Sequence, residues 1–351
     1  MTDMRKSSDG TSLHAPASMA GVAGLPASSP GQIRSGIALM FCCAFTFASL
    51  DALAKFLSSH VPTLQLVWFR YFFHMVTMLV VFGPAMRSRL WRAGHLRWQA
   101  TRGVILIVCT CLSFTGLSLM PLAEFTAIAF IAPLIVTLLA RPLLGERVSM
   151  ARWVAVTAGF VGVLIVIRPG GGMLGWPALI PLVMAGVYAM FQILSRKFAG
   201  ADDPVTTLFF SGLIGAVLTT LVVPLVWVAP QVSDWPLLIM LGVMGAGGHL
   251  MLILAFRRAP ASTLAPISYT QLVFATVLGI AVSQHIPDRW SLIGMGVIAL
   301  AGLCAAILQG LEGPDADRAV EADAAGATGP GAGRAAGRRR DADVADVPTG
   351  D

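Results

Sequence analysis

The chain has 351 residues, 56% of them hydrophobic and 12% charged, with a formal net charge of +6. Soluble domains carry about 25% charged residues, whereas apolar runs of about 20 residues, enough to cross a bilayer core of roughly 30 Å, recur along most of this sequence. These figures exclude an ordinary soluble protein. The basic residues are dealt out between the apolar runs instead of gathered in a patch, which argues against a nucleic-acid partner.

Residues 1–31 are polar, rich in Ser, Ala and Pro, and lack the apolar core of a cleavable signal peptide. With so little apolar surface they are expected to be disordered. Ten helical spans follow, at 35–57, 63–83, 103–119, 122–140, 153–167, 175–194, 205–228, 235–256, 262–284 and 291–308. Residues 312–351 are again poor in apolar side chains and are expected to be disordered. Arg338, Arg339 and Arg340 there read as a solvated run in preference to a lipid headgroup site. The fold class is an all-α polytopic membrane protein in contact with the lipid bilayer.

Twenty of the 24 lysines and arginines fall on the side of the membrane that holds the amino terminus, against Arg168 and Arg289 on the other. Lys55 and Arg70 lie inside spans. This asymmetry predicts a multi-pass inner-membrane protein with both termini in the cytoplasm, and an even number of spans agrees with it.

Sliding the chain against itself by 139 to 142 residues aligns Asp51-Ala-Leu-Ala-Lys55 with Gln192-Ile-Leu-Ser-Arg196, Pro62 with Pro204, Pro121 with Pro260, and Phe130-Ile-Ala with Tyr269-Thr-Gln. The two copies occupy 32–168 and 174–309, with five spans each. Five is odd, so the second copy crosses the membrane in the opposite sense. Inverted repeats are the signature of transporters that alternate access around a site between the halves; a symmetric scaffold without transport is the alternative.

Pro121 and Pro133 ahead of Leu144-Gly145-Glu146, together with paired five-helix repeats, resemble the drug/metabolite transporter superfamily and its EamA-domain members. The resemblance covers residues 34 to 309. PLAE at 121–124 and AP-x-S-x-x-AP-x-x-Y-x-Q at 259–271 are similar to a bacterial subgroup that includes riboflavin, S-adenosylmethionine and metallophore transporters. It implies a transport class and no particular substrate. The second copy departs from the pattern with Gln284-His285 where Gly-Glu is common, so its helix must be finished another way. In the resembled family the fifth and tenth helices are peripheral. The glycines at 159, 162, 294, 296 and 302 could thus serve a homodimer contact, or packing within one chain.

Charged side chains at membrane depth are costly and usually face the protein interior. Asp51, Lys55, Arg70 and Glu124 stand out, and Asp51/Lys55 and Arg70/His74 share helix faces at i,i+4 spacing. Two readings stay open: mutual neutralisation, or a cavity in which Arg70 and Glu124 bind opposite ends of a polar solute. Gln192, Tyr269 and Gln271 offer neutral hydrogen-bonding groups from the second copy. His74 and Glu124 are the candidates for carrying a coupling proton. Pro133 and Pro266 each free a carbonyl and bend a helix.

Enzymatic activity is not expected: there is no HExxH, no paired aspartates at metal spacing and no Gly-rich phosphate loop. The five cysteines, all within apolar runs, read as buried small hydrophobes. No metal and no cofactor are expected. A membrane-embedded enzyme or a non-transporting scaffold is the alternative to a secondary transporter that moves a small polar metabolite.

Overall fold

The computed structural model describes residues 30–144, 150–168, 175–197, 202–259 and 261–327, and among them every regular element is a helix. Nine are long and apolar enough to cross a membrane, and the shorter apolar helix Trp153–Ile167 supplies a tenth crossing.

The first half comprises α1 (Pro30–Leu57), α2 (Thr63–Met86), α3 (Leu96–Leu119), α4 (Leu122–Ala129), α5 (Ala132–Leu144) and α6 (Met150–Ile167). The second comprises α7 (Leu179–Lys197), α8 (Pro204–Val222), α9 (Trp235–Phe256), α10 (Ala261–Ser268), α11 (Thr270–Ser283) and α12 (Arg289–Ala327). Each pair α4–α5 and α10–α11 together makes one crossing. The expected spans therefore hold, with the fourth and ninth interrupted. The side where α1 begins is called here the terminal face, and the opposite side the far face.

Helix starts follow from local chemistry. Pro62 and Pro121 precede α2 and α4, where a missing N–H costs nothing. Pro204 opens α8 behind Asp203, whose Oδ1 accepts the Val205 N–H at 2.8 Å. Asp288 does the same for α12, accepting the Ser291 N–H at 2.8 Å. Within the segments 1–31 and 312–351 expected to be disordered, residues 30, 31 and 312–327 are helical. Beyond residue 308 the helix continues because extension from an existing span avoids the nucleation cost, and Ala and Glu favour it.

The halves pack crosswise. Helix α1 lies along α9 and α11, and its counterpart α7 lies along α3 and α5; α2 meets its own counterpart α8, and α6 meets α12. This is the contact pattern of a two-fold arrangement. Close approach depends on small residues at α6–α12. A Cβ at Gly162 would stand 2.8 Å from Ile298 and 3.1 Å from the Gly294 carbonyl, and one at Gly294 2.8 Å from the Gly162 carbonyl. These glycines are occupied by packing inside one chain.

Candidate functional site: a cavity between the halves

The two interrupted crossings shape the site. Pro133 has no N–H to offer the Ala129 carbonyl, and the chain turns at Phe130 and Ile131 before α5 begins. In the second half the chain turns at Tyr269. The sequence repeat makes Phe130 and Tyr269 equivalent, and their rings meet at 5.1 Å between centroids. The prolines, however, are not equivalent. Pro133 follows its break, whereas Pro266 precedes its own by three residues, inside α10. Tyr269 fits the wall because residue 302 is glycine: a Cβ there would overlap its hydroxyl.

Between the halves lies a cavity of about 620 Å³, lined from both of them. This is within the usual range for small-molecule sites, about 300–1,000 Å³. Its lining obeys the internal repeat. Asp51 and Gln192 both face it, as do Phe47 and Tyr188, Cys43 and Met184, Thr110 and His249, Phe130 and Tyr269, and Ala132 and Gln271. The cavity thus straddles the two-fold relation, but its charges do not: Asp51 and Arg70 come from the first half alone. Their counterparts in the second are Gln192 and Gly212.

Arg70 donates to Thr110 Oγ1 at 3.3 Å, its guanidinium stands 5.6 Å from the Phe114 ring centroid, and its charge acts on Asp51. Among the described residues Asp51 has no ion pair or hydrogen bond, so the two opposite charges share the cavity without contact. Behind Arg70, His74 is buried, its ring 6.5 Å from that of His249. His249 lines the cavity with a buried Nε2 that lacks a hydrogen-bond partner, as does the Tyr269 hydroxyl.

Of the sequence candidates, Asp51, Arg70, Gln192, Tyr269 and Gln271 come together here. Lys55, Glu124 and His74 do not line the cavity. Lys55 Nζ donates to the Met120 carbonyl at 3.1 Å, and Glu124 Oε1 is 3.3 Å from His285 Nε2. The four charges therefore do not neutralise one another by contact. Sequence reading passed over Thr110 and His249 as a pair, although the repeat aligns them. Arg102, in the first turns of α3, donates from Nε to Ser195 Oγ at 3.0 Å, and its guanidinium covers Phe191. Glu146 and Pro260 lie outside the described residues. No group of three His, Cys, Asp or Glu side chains that could hold a metal occurs among those described.

The cavity reaches the terminal face at Phe256, the last residue of α9, which is half exposed. Its lining from α1, α2 and α3 ends at Asp51, Arg70 and Ser113, short of the far ends of those helices. The far face is closed by ties between the halves: His60 to Asp234 at 3.2 Å, Gln65 to the Val228 main chain at 2.8 and 3.1 Å, Arg168 to Asp288 at 2.6 Å, and Glu124 to His285. A polar chamber between inverted halves, open at one end and tied shut at the other, is one state of an alternating-access carrier.

The sequence profile of the EamA-like transporter family matches this chain twice, at residues 34–168 and 175–307. The chain belongs to the EamA-like transporter family. It is 27% identical to an S-adenosylmethionine uptake transporter of Rickettsia bellii (strain RML369-C), over 76% of this chain and 92% of that one. It is 25% identical to a riboflavin transporter of Rhizobium johnstonii, over 78% and 91%, and 26% identical to a pseudopaline exporter of Pseudomonas aeruginosa, over 77% and 95%. A solved crystal structure with 21% identity superposes with a TM-score of 0.58, over 78% of this chain and 98% of its own, and carries the same fold. The EamA protein described here is accordingly a multi-pass membrane transporter of small polar molecules, built from two inverted five-span halves.

Proposed function

We propose that this EamA protein binds its solute in the cavity between the halves, with Arg70 and Asp51 taking opposite charges of one molecule. The observation that carries the reading is the pair itself: two opposite charges face one membrane-embedded chamber, and neither is neutralised by the other through contact. Charges are kept at such depth where a path or ligand needs them. Around them the walls are aromatic and neutral, from Phe47, Phe130, Tyr188 and Tyr269, with Gln192, Gln271 and His249 as hydrogen-bonding groups. Such a lining suits a ring-bearing metabolite with a zwitterionic end. S-adenosylmethionine, the solute for which several relatives are named, has that chemistry: a carboxylate for Arg70, an ammonium and a sulfonium for Asp51, and an adenine for the aromatic walls.

The excess of Lys and Arg on the terminal face supports an inner-membrane orientation with both termini in the cytoplasm, which makes the form described the inward-open one. Transport needs no bond-making step, and the chain is read as a carrier and not as an enzyme.

Radiolabelled S-adenosylmethionine and riboflavin, offered to the purified protein in proteoliposomes, test the assignment. Asp51→Asn and Arg70→Gln each remove one charge to which the bound solute would hydrogen-bond, a loss of about 1.5–3 kcal/mol, or about tenfold or more in affinity. Unchanged affinity for every transported solute in both variants would sink the assignment.

A further inference from the structure

Of the ties that close the far face, one is built differently. Glu124 is buried to 2% exposure in the first turn of α4. Its Oε1 contacts His285, while its Oε2 is buried and accepts no hydrogen bond from the described residues. A carboxylate charge half unsatisfied at such a site is costly. The ring of His285 is 31% exposed at the far face, so it stands between the outer water and the buried acid.

Local backbone aims it there. Gln284 ends α11 in the left-handed conformation at φ 53°, its N–H donating to the Ile280 carbonyl at 2.9 Å. A non-glycine residue adopts that conformation only against a steric cost. The turn carries His285 back towards Glu124. Phe125 and Thr126, the next two residues of α4, line the cavity, so the same short helix touches both the far-face tie and the solute chamber.

We propose that Glu124 and His285 form a proton-binding latch on the far-side gate. Water at the far face protonates His285 at Nδ1; the imidazolium passes its Nε2 proton to Glu124 Oε1, leaving a neutral acid and a neutral ring. The chain has gained one proton, and the buried carboxyl no longer holds a charge. Opening the gate hydrates Glu124 and returns that proton. Acid on the far side therefore holds the gate shut and the carrier inward-open. Other charged groups on this face are already engaged. Lys55 of α1 is hydrogen-bonded to the Met120 carbonyl, His60 after α1 is tied to Asp234 before α9, Arg168 after α6 is paired with Asp288, and Arg289 at the start of α12 covers Trp290. The far ends of α3, α7 and α11 bring no charged side chain.

This deepens the transport reading, and its test uses no solute, so the two can fail separately. Take the full chain with its five cysteines replaced, and add Ser113→Cys in the cavity or, as the surface reference, Val232→Cys at the far face, where the side chain is exposed. Label each from the far side of right-side-out vesicles with an impermeant maleimide, and take the ratio of rates, which cancels the reagent's own pH dependence. The ratio is expected to rise about fivefold or more from about pH 5.5 to about pH 8. Glu124→Gln, permanently neutral, is expected to hold it low and flat, and His285→Gln to remove most of the rise. A flat ratio in the unaltered latch, or an undiminished rise in either variant, overturns the proposal. Should Glu124→Gln fail to reach the membrane, the His285→Gln arm decides alone.

Discussion

Gly302 shows how much one missing methyl group can decide. The Tyr269 hydroxyl occupies the space where a Cβ would sit, so Gly302→Ala forces the ring at the second helix break out of place. Overpacking of this kind costs about 1–3 kcal/mol. A melting curve in detergent is expected to show that loss for Gly302→Ala and none for Gly296→Ala, where nothing lies within 4 Å. At the membrane edge, Asp288 makes a different prediction. The Ser291 N–H, and then the Arg168 guanidinium, hold its carboxyl below the usual carboxylate range. A depressed acid stabilises the fold above its ordinary titration range and loses that contribution as pH falls through its lowered value. The melting difference between Asp288→Asn and the unaltered chain is therefore expected at neutral pH and to close below about pH 4. The effect is small, because the group is exposed.

The interrupted helices carry the argument from residue to element. Leu272 is the repeat counterpart of Pro133, yet the second crossing breaks at the counterpart of Phe130 all the same. The break thus belongs to the packing of the halves and not to proline alone. Pro133→Ala is expected to keep it, with a stability loss within about 1 kcal/mol from the freer unfolded chain and solute uptake within about fivefold of the unaltered rate. The spans were legible from apolar runs bounded by prolines and basic residues, because bilayer thickness imposes a length that sequence cannot hide. Asp51 opposite Gln192 was legible too, since the repeat brings both to one axis. The His285 contact to Glu124 was not: it joins residues 161 apart and depends on a left-handed turn at Gln284 that no local propensity favours. Nor was the separation of Lys55 and Glu124 from the cavity, which rests on where two helix ends meet.

At the scale of the molecule, the inverted halves make a claim about sidedness. Single cysteines in place of Ser59 and Asp234 are expected to react from the periplasm, and those in place of Arg92 and Arg196 from the cytoplasm. Reaction of Ser59→Cys and Arg196→Cys from a common side would dismantle the inverted arrangement. The charged pair adds a consequence of its own. Asp51 and Arg70 sit at the blind end of the chamber, and when the halves exchange shapes that end becomes the doorway for a molecule arriving from the opposite compartment. Such a molecule meets the charges at once, while one arriving at the terminal face meets them only after shedding its water. Dissolved salt weakens attraction across water and scarcely touches it in a closed interior. Ionic strength raised on the far side, the periplasm in the proposed orientation, is therefore expected to slow capture there, while the same salt on the terminal side leaves capture from that side almost unchanged.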